Sequence, residues 1–205
     1  MFKVLRNAVA GTVLAIFGAT AYLAAMTPPE SSPAEAQTVT SNPVGWRDFC
    51  RKDPSECIQS GGSTEPLRLT SKYMSVINRI NRWVNASIVP TSDLKQWGRE
   101  EWWSYPDNGN GDCEDYALLK RKMLIEEGFP LQSLLLTIVR NRSGEAHAVL
   151  MVRTDHGDFV LDNLTDEMLP WTKTGYRFIK RQSERNPNAW LKLRNASDEE
   201  QLTTR

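Results

Sequence analysis

The hydrophobic period of the chain changes near residue 130, and this change restricts the folds that it can adopt. Residues 114–127 contain no Gly or Pro and consist mostly of good helix formers, and Gly128 follows as a stop signal. Beyond this helix, residues 134–140 and 146–153 are runs of apolar or β-branched residues, and a third run starts after a turn. A helix followed by an antiparallel meander predicts an α+β fold.

Two segments upstream of this helix extend the outline. Residues 71–83 place apolar side chains at helical spacing behind a capping Thr70 or Ser71, which predicts a second amphipathic helix. Residues 93–110 have no clear period and are rich in Trp, Pro, Gly and Asn. Aromatic side chains in such a loop either line a substrate cleft or cover the core.

The amino end of the chain predicts export. Lys3 and Arg6 precede an apolar run at residues 8–26, and Ala34-Glu35-Ala36 is a cleavage motif of the A-x-A type. A signal peptide over residues 1–36 is therefore expected, with an uncleaved anchor to the inner membrane through residues 8–26 as the alternative. Either interpretation places the remainder in the periplasm or outside the cell.

The remainder is long enough for one compact domain with an adequate core. The expected segments are a disordered linker at 37–45, a globular domain at 46–195 and a polar tail at 196–205. The chain carries 25 basic and 25 acidic residues, and no basic cluster is combined with stacking aromatic residues. Nucleic acid is therefore not an expected partner.

The three cysteines have different predicted roles. Cys50 and Cys57 lie close together in a short polar loop and are expected to form a disulfide. Zinc is the alternative use of such a pair, but Cys113 and two histidines are all that remain of the thiol and imidazole ligands. The disulfide would leave Cys113 unpaired in an exported protein, where a free thiol is either buried or functional.

Cys113 occupies the predicted start of the central helix. Asp112 can cap this helix, and Glu114 and Asp115 are placed favourably for its dipole. The unpaired N–H groups there are expected to lower the pKa of the thiol below the ~8.5 of free cysteine. The alternative is a small buried side chain that happens to begin a helix.

A cysteine nucleophile needs a base, and the base needs an orienting carboxylate. His147 begins the second β run and Asp162 ends the third, while His156 belongs to the turn between them and to solvent. If the reversal is centred on residues 155–156, Asp162 falls opposite Val149, on the same face as His147 and within side-chain reach. A slip by one residue would separate the two side chains onto opposite faces.

These residues belong to three motifs, which occur in the order Gly111-Asp112-Cys113-Glu114-Asp115-Tyr116-Ala117, His147-Ala148-Val149-Leu150 and Gly157-Asp158-Phe159-Val160-Leu161-Asp162-Asn163. The set closely resembles the bacterial transglutaminase-like cysteine peptidases, within the papain-like and transglutaminase-like superfamily. The resemblance extends from about Trp46 to Leu193 and includes a Trp103-x-x-Pro106 segment. It implies that the α+β fold is of the papain-like type, with the nucleophile at the start of a core helix packed on the meander.

The resemblance also implies a function. The triad would be Cys113, His147 and Asp162, in an exported cysteine endopeptidase. Well-characterised relatives are calcium-using periplasmic proteases that clip large surface adhesins under the control of a membrane receptor. The positions that match their calcium ligands are Asp112 and Glu114, with Asp115 as a third, although these carboxylates equally suit a cap and favourable dipole charges.

The expected chemistry is attack by the Cys113 thiolate on a peptide carbonyl, with His147 moving the proton and no cofactor required. The N–H of Cys113 would face the oxyanion. The Trp-x-x-Pro match makes Trp103 the candidate for a second donor, with Asn108 and Asn110 as the alternatives. Release of the thioester to an amine would instead make the protein a transglutaminase or an amide-forming acyltransferase. A non-catalytic peptide-binding module and a redox thiol are the remaining alternatives.

Overall fold

The computed structural model describes residues 28–59 and 61–195. The apolar run at 8–26 and the tail at 196–205 lie outside the described residues, as does most of the predicted signal peptide. Within the described ranges, none of the helices combines the length and the apolar character needed to cross a membrane.

An antiparallel sheet of seven strands forms the body of the described chain, in the order β1-β9-β8-β4-β5-β6-β7. Its strands are β1 (Ala36–Thr40), β4 (Leu134–Arg140), β5 (Ala146–Thr154), β6 (Gly157–Asp162), β7 (Thr165–Pro170), β8 (Arg177–Gln182) and β9 (Trp190–Leu193). Two short strands, β2 (Val89–Pro90) and β3 (Asn110–Gly111), pair in parallel outside this sheet. The meander of β4, β5 and β6 forms where the strand-like runs predict it.

Four α-helices accompany the sheet: α1 (Val44–Lys52), α2 (Ser71–Ser87), α3 (Asp93–Trp97) and α4 (Cys113–Glu126). Helix α4 packs chiefly on β5 and also contacts α2, which in turn contacts β7. Thr70 caps α2 by accepting a hydrogen bond from the Tyr73 N–H at 3.2 Å. The α+β class and both predicted helices are therefore confirmed.

Helix α4 is buried over most of its surface. Besides apolar residues, it buries the charged side chains of Lys120 and Arg121, each at most 2% exposed. Arg121 lies 3.6 Å from the Glu56 carboxylate, whereas the Lys120 ammonium has no hydrogen-bond partner among the described residues. The helix is this deeply buried because the sheet, α2 and the segment after α1 all contact it.

The Cys50–Cys57 disulfide is present, so that prediction is confirmed. It ties α1 to the 3-10 turn Pro54–Cys57. Cys113 is the free cysteine of the described chain.

The segment before α1 differs from the predicted linker. Strand β1 pairs with β9 at the edge of the sheet, and α1 already begins at Val44. Ala34 is buried, and its N–H donates to the buried Asp158 carboxylate at 2.8 Å. The domain therefore includes chain on both sides of the predicted cleavage site and of the linker at 37–45. The residues of this strand are mostly exposed and do not form a pattern typical of a β-strand. An edge strand can form without such a pattern because it needs little apolar surface.

Candidate active site

Cys113 is the first residue of α4 and borders a pocket of about 210 Å³ that His147 also lines. The thiol is partly exposed. Its sulfur accepts a hydrogen bond from the Ala148 N–H at 3.4 Å, next to His147 in β5. The fold therefore brings the candidate nucleophile and the candidate base to one pocket, from a helix start and the beginning of a strand.

The pairing of β5 with β6 decides how His147 meets Asp162. Leu150 pairs with Leu161 and Thr154 with Gly157, so the reversal is centred on residues 155–156, as the register argument requires. The His147 Nε2 lies 2.8 Å from the Asp162 Oδ1. Because an ionised carboxylate only accepts, Nε2 carries the hydrogen and Nδ1 is left to exchange a proton with another group.

Asp162 is buried and accepts two further hydrogen bonds. The Tyr176 hydroxyl donates to Oδ2 at 2.6 Å, and the Leu164 N–H donates to Oδ1 at 3.1 Å. Burial acts to raise the pKa of Asp162, but these hydrogen bonds, led by the one from His147, hold it below its usual value. The carboxylate thus stays ionised and can stabilise an imidazolium.

Tyr176 also packs edge-on against the His147 ring, with 5.8 Å between ring centroids. The sequence analysis assigned no role to this residue. Its position depends on the long-range order of the strands, which no local pattern reveals.

The predicted lowering of the Cys113 pKa is wrong for this structure. Burial, followed by the charge of the neighbouring Glu114 carboxylate, raises the pKa of the thiol well above its usual value. The thiol donates to the Glu114 Oε2 at 3.2 Å. The helix dipole stabilises a thiolate only modestly, and here burial and the neighbouring carboxylate together outweigh this effect.

Carboxylates converge at the start of α4 in two overlapping groups. Asp112 and Glu114 lie around Cys113, while Asp112 and Asp115 meet Asp93 of α3, with oxygen atoms within 4.8 Å of one another. Asp112 does not cap α4 with its side chain. It accepts instead from the Asp93 N–H at 3.0 Å. Sequence reasoning missed Asp93, which follows Thr and Ser and has the appearance of an ordinary helix-start residue.

These carboxylates fit a hard cation. Asp112 Oδ1 and Asp115 Oδ2 are buried without hydrogen-bond partners among the described residues. Burial raises the pKa of Asp115 to about 8 and also raises the pKa values of Asp93 and Glu114. Repulsion between the neighbouring carboxylate charges adds to this increase. Gly111 permits the close approach of Asp115, because a Cβ there would lie 2.8 Å from the Asp115 Cβ. Clustered oxygen ligands of this kind suit calcium.

Trp103 lines the same pocket as Cys113 and is 2% exposed. Its indole packs edge-on against Trp46 and Trp190, and its ring N–H lies 3.3 Å from Glu101 Oε2. The role of Trp103 at an oxyanion remains a prediction.

Comparison with known proteins identifies relatives of this arrangement. A family model described as bacterial transglutaminase-like cysteine proteinase (BTLCP) matches residues 36–198. Among solved structures, LapG of Legionella pneumophila is similar with a TM-score of 0.51 and 22% identity, over 60% of this chain and 71% of LapG. The calcium-bound and EGTA-treated forms of LapG match with the same TM-score at 19% and 20% identity, over 63% and 64% of this chain and 75% of theirs. No curated protein sequence is significantly similar.

Proposed function

Because the chain belongs to the bacterial transglutaminase-like cysteine proteinases, we propose that it is an exported endopeptidase whose triad is Cys113, His147 and Asp162. The observation that carries this proposal is the 2.8 Å contact between His147 and Asp162, with His147 and the free Cys113 thiol lining one pocket.

The chemistry follows from the free nitrogen of His147. Nδ1 takes the thiol proton of Cys113, and the thiolate attacks the carbonyl carbon of the scissile bond. As the tetrahedral intermediate collapses, the imidazolium returns this proton to the departing amine and a thioester remains. Water then attacks the thioester, gives one proton to His147 and releases a carboxylic acid and the thiol.

Two groups are proposed to stabilise the oxyanion. The N–H of Cys113 points out of the first turn of α4, where helix N–H groups have no intrahelical acceptor. Trp103, which borders the pocket, is the candidate for the second donor.

We also propose calcium as a ligand of the carboxylates at the start of α4. Asp93, Asp112, Glu114 and Asp115 would hold it, and the similarity to a protein solved in calcium-bound and EGTA-treated forms supports this assignment. When bound, the ion would engage the Glu114 carboxylate that now accepts from the Cys113 thiol, and so favour the thiolate.

The proposed substrate is a periplasmic or surface protein such as an adhesin, and regulation by a membrane receptor is proposed with it. Both come from the family resemblance, and export comes from the charged and apolar residues at the amino end. Comparing the envelope and secreted proteins of wild-type and Cys113→Ala cells tests the substrate and the location together. We expect at least one envelope protein to be shortened in wild type alone, and identical protein patterns would contradict the proposal.

A further inference from the structure

A second cavity, of about 390 Å³, is lined by Asp162 and Tyr176 but not by Cys113 or His147. The loop between β4 and β5 contributes Arg142 and Ser143 to the same lining. Asp162 accepts hydrogen bonds from both His147 and the Tyr176 hydroxyl, and these two bonds connect the cavity lining to the proposed base.

The proposed mechanism indicates which part of a substrate would approach this cavity. His147 must protonate the departing amine, so the nitrogen of the scissile bond has to lie beside this imidazole. A substrate chain that continued past His147, away from Cys113, would approach Asp162 and Tyr176. Side chains carboxy-terminal to the cleaved bond would then be the ones to enter the second cavity.

Arg142 is the charged side chain of this lining that can still bind a ligand. The charged members of the lining are Arg142 and Asp162, and the Asp162 carboxylate is already occupied by His147, Tyr176 and the Leu164 N–H. The Arg142 Nε donates to the Thr174 carbonyl at 3.0 Å, which aligns the guanidinium. Glu145, the acidic residue of the loop between β4 and β5, accepts hydrogen bonds from Asn141 and Ser143 and does not line the cavity.

We propose that this cavity is a specificity subsite for an acidic side chain, Asp or Glu, located carboxy-terminal to the cleaved bond. A carboxylate matches the planar guanidinium of Arg142 in a two-point contact. Val160, Leu164 and Leu169 provide apolar wall for the aliphatic stem. This inference rests on the proposed endopeptidase function and adds a preference among its substrates.

The test uses the purified full-length protein, calcium and a peptide mixture prepared from a whole proteome, with every new amino terminus identified by mass spectrometry. We expect acidic residues to be enriched at one position after the bonds that are cleaved in a Cys113-dependent manner. For two peptides that differ only at that position, kcat/KM should be about three- to fivefold higher with Glu than with Lys. A ratio of this size corresponds to the free energy of a partly exposed ion pair. Arg142→Glu should reverse this ratio.

Arg177→Glu is the matched control, since Arg177 is exposed and does not line the cavity. The control should keep the preference for Glu over Lys. The ratio of the two substrates is insensitive to a general loss of folded protein. An acidic preference that is missing, or that survives in Arg142→Glu, would overturn the subsite while leaving the peptidase intact. Absence of any Cys113-dependent cleavage would overturn the proposed function itself.

Discussion

At the scale of single residues, Tyr176 holds the Asp162 carboxylate from the side opposite His147. Its hydroxyl makes the shortest of the three hydrogen bonds to this carboxylate. Without it, Oδ2 loses its donor and the orientation of the imidazole is less well fixed. Tyr176 is therefore a positioning residue for the base.

We expect Tyr176→Phe to reduce kcat by about tenfold, the effect of one charge-assisted hydrogen bond, with KM nearly unchanged. Tyr73→Phe is the matched control, because Tyr73 packs on Phe129 and lies outside the pocket. Steady-state kinetics on one peptide measures both variants. An unchanged kcat in Tyr176→Phe would contradict the positioning role of Tyr176.

The sequence is informative about the triad because its three residues are placed by local rules. Cys113 follows a turn and begins a helix, and a two-residue reversal fixes the register that brings Asp162 to His147. Tyr176 and Asp93 could not be assigned in this way. Each comes from a different segment and reaches the site through a hydrogen bond that depends on the tertiary fold.

At the scale of elements, four carboxyl groups lie close together at the start of α4: Asp93, Asp112, Glu114 and Asp115. In metal-free protein, burial raises the pKa of Asp115 from 3.8 to about 8. A folded-state pKa above the unfolded one adds stability at low pH that is lost as the pH rises through the folded value. The Asp115 contribution therefore disappears between about pH 4 and 8.

We therefore expect the Tm of chelator-treated protein to fall from pH 5.5 to 8, and to fall less steeply in Asp115→Asn. Calcium replaces the bound protons, so the increase in Tm that it causes should be larger at pH 8 than at pH 5.5. Thermal unfolding with calcium or with a chelator measures this. If calcium did not raise the Tm, or raised it equally at both pH values, the proposed calcium site at the start of α4 would be contradicted.

The segment at 28–40 behaves as part of the domain. Its Ala34 N–H is the backbone partner of the Asp158 carboxylate, which is 2% exposed. Protein that begins at Gln37 should unfold with a free energy about 2–3 kcal/mol lower than protein that begins at Pro28, because a buried carboxylate loses its donor. Urea denaturation compares the two.

The same contacts predict that the mature protein begins before Ser31. The Ser31 hydroxyl and N–H bind the carbonyls of Asp158 and His156, and cleavage after Ala36 would remove both contacts. Amino-terminal sequencing of the protein isolated from cells decides this. A mature terminus at Gln37 would contradict the prediction.

Sequence patterns predict the elements that are rich in apolar residues and miss the others. Helices α2 and α4 and strands β4 to β6 bury enough apolar surface to be recognised in this way. Strand β1 is largely exposed, and β7 carries two acidic residues and a proline. These edge strands are defined by the pairing partners that they meet and not by their own composition.

At the scale of the whole molecule, the seven-stranded sheet separates two apolar clusters. One contains α4, α2 and the large aromatic residues, and the other is covered by Ala34, Trp171 and Phe178. The active-site pocket opens where α4 starts and β5 begins. The chain shares the fold of LapG and belongs to a cysteine proteinase family, and this pocket is the proposed location of its chemistry.

The most direct measurement is cleavage by purified protein, in calcium, of an envelope polypeptide that is shortened in wild-type cells alone. Wild-type protein should produce one new amino terminus. Cys113→Ala should produce none while keeping the wild-type Tm, because it removes the nucleophile from the end of a helix without opening the core. Cleavage at the same bond by Cys113→Ala would contradict the assignment of this thiol as the nucleophile.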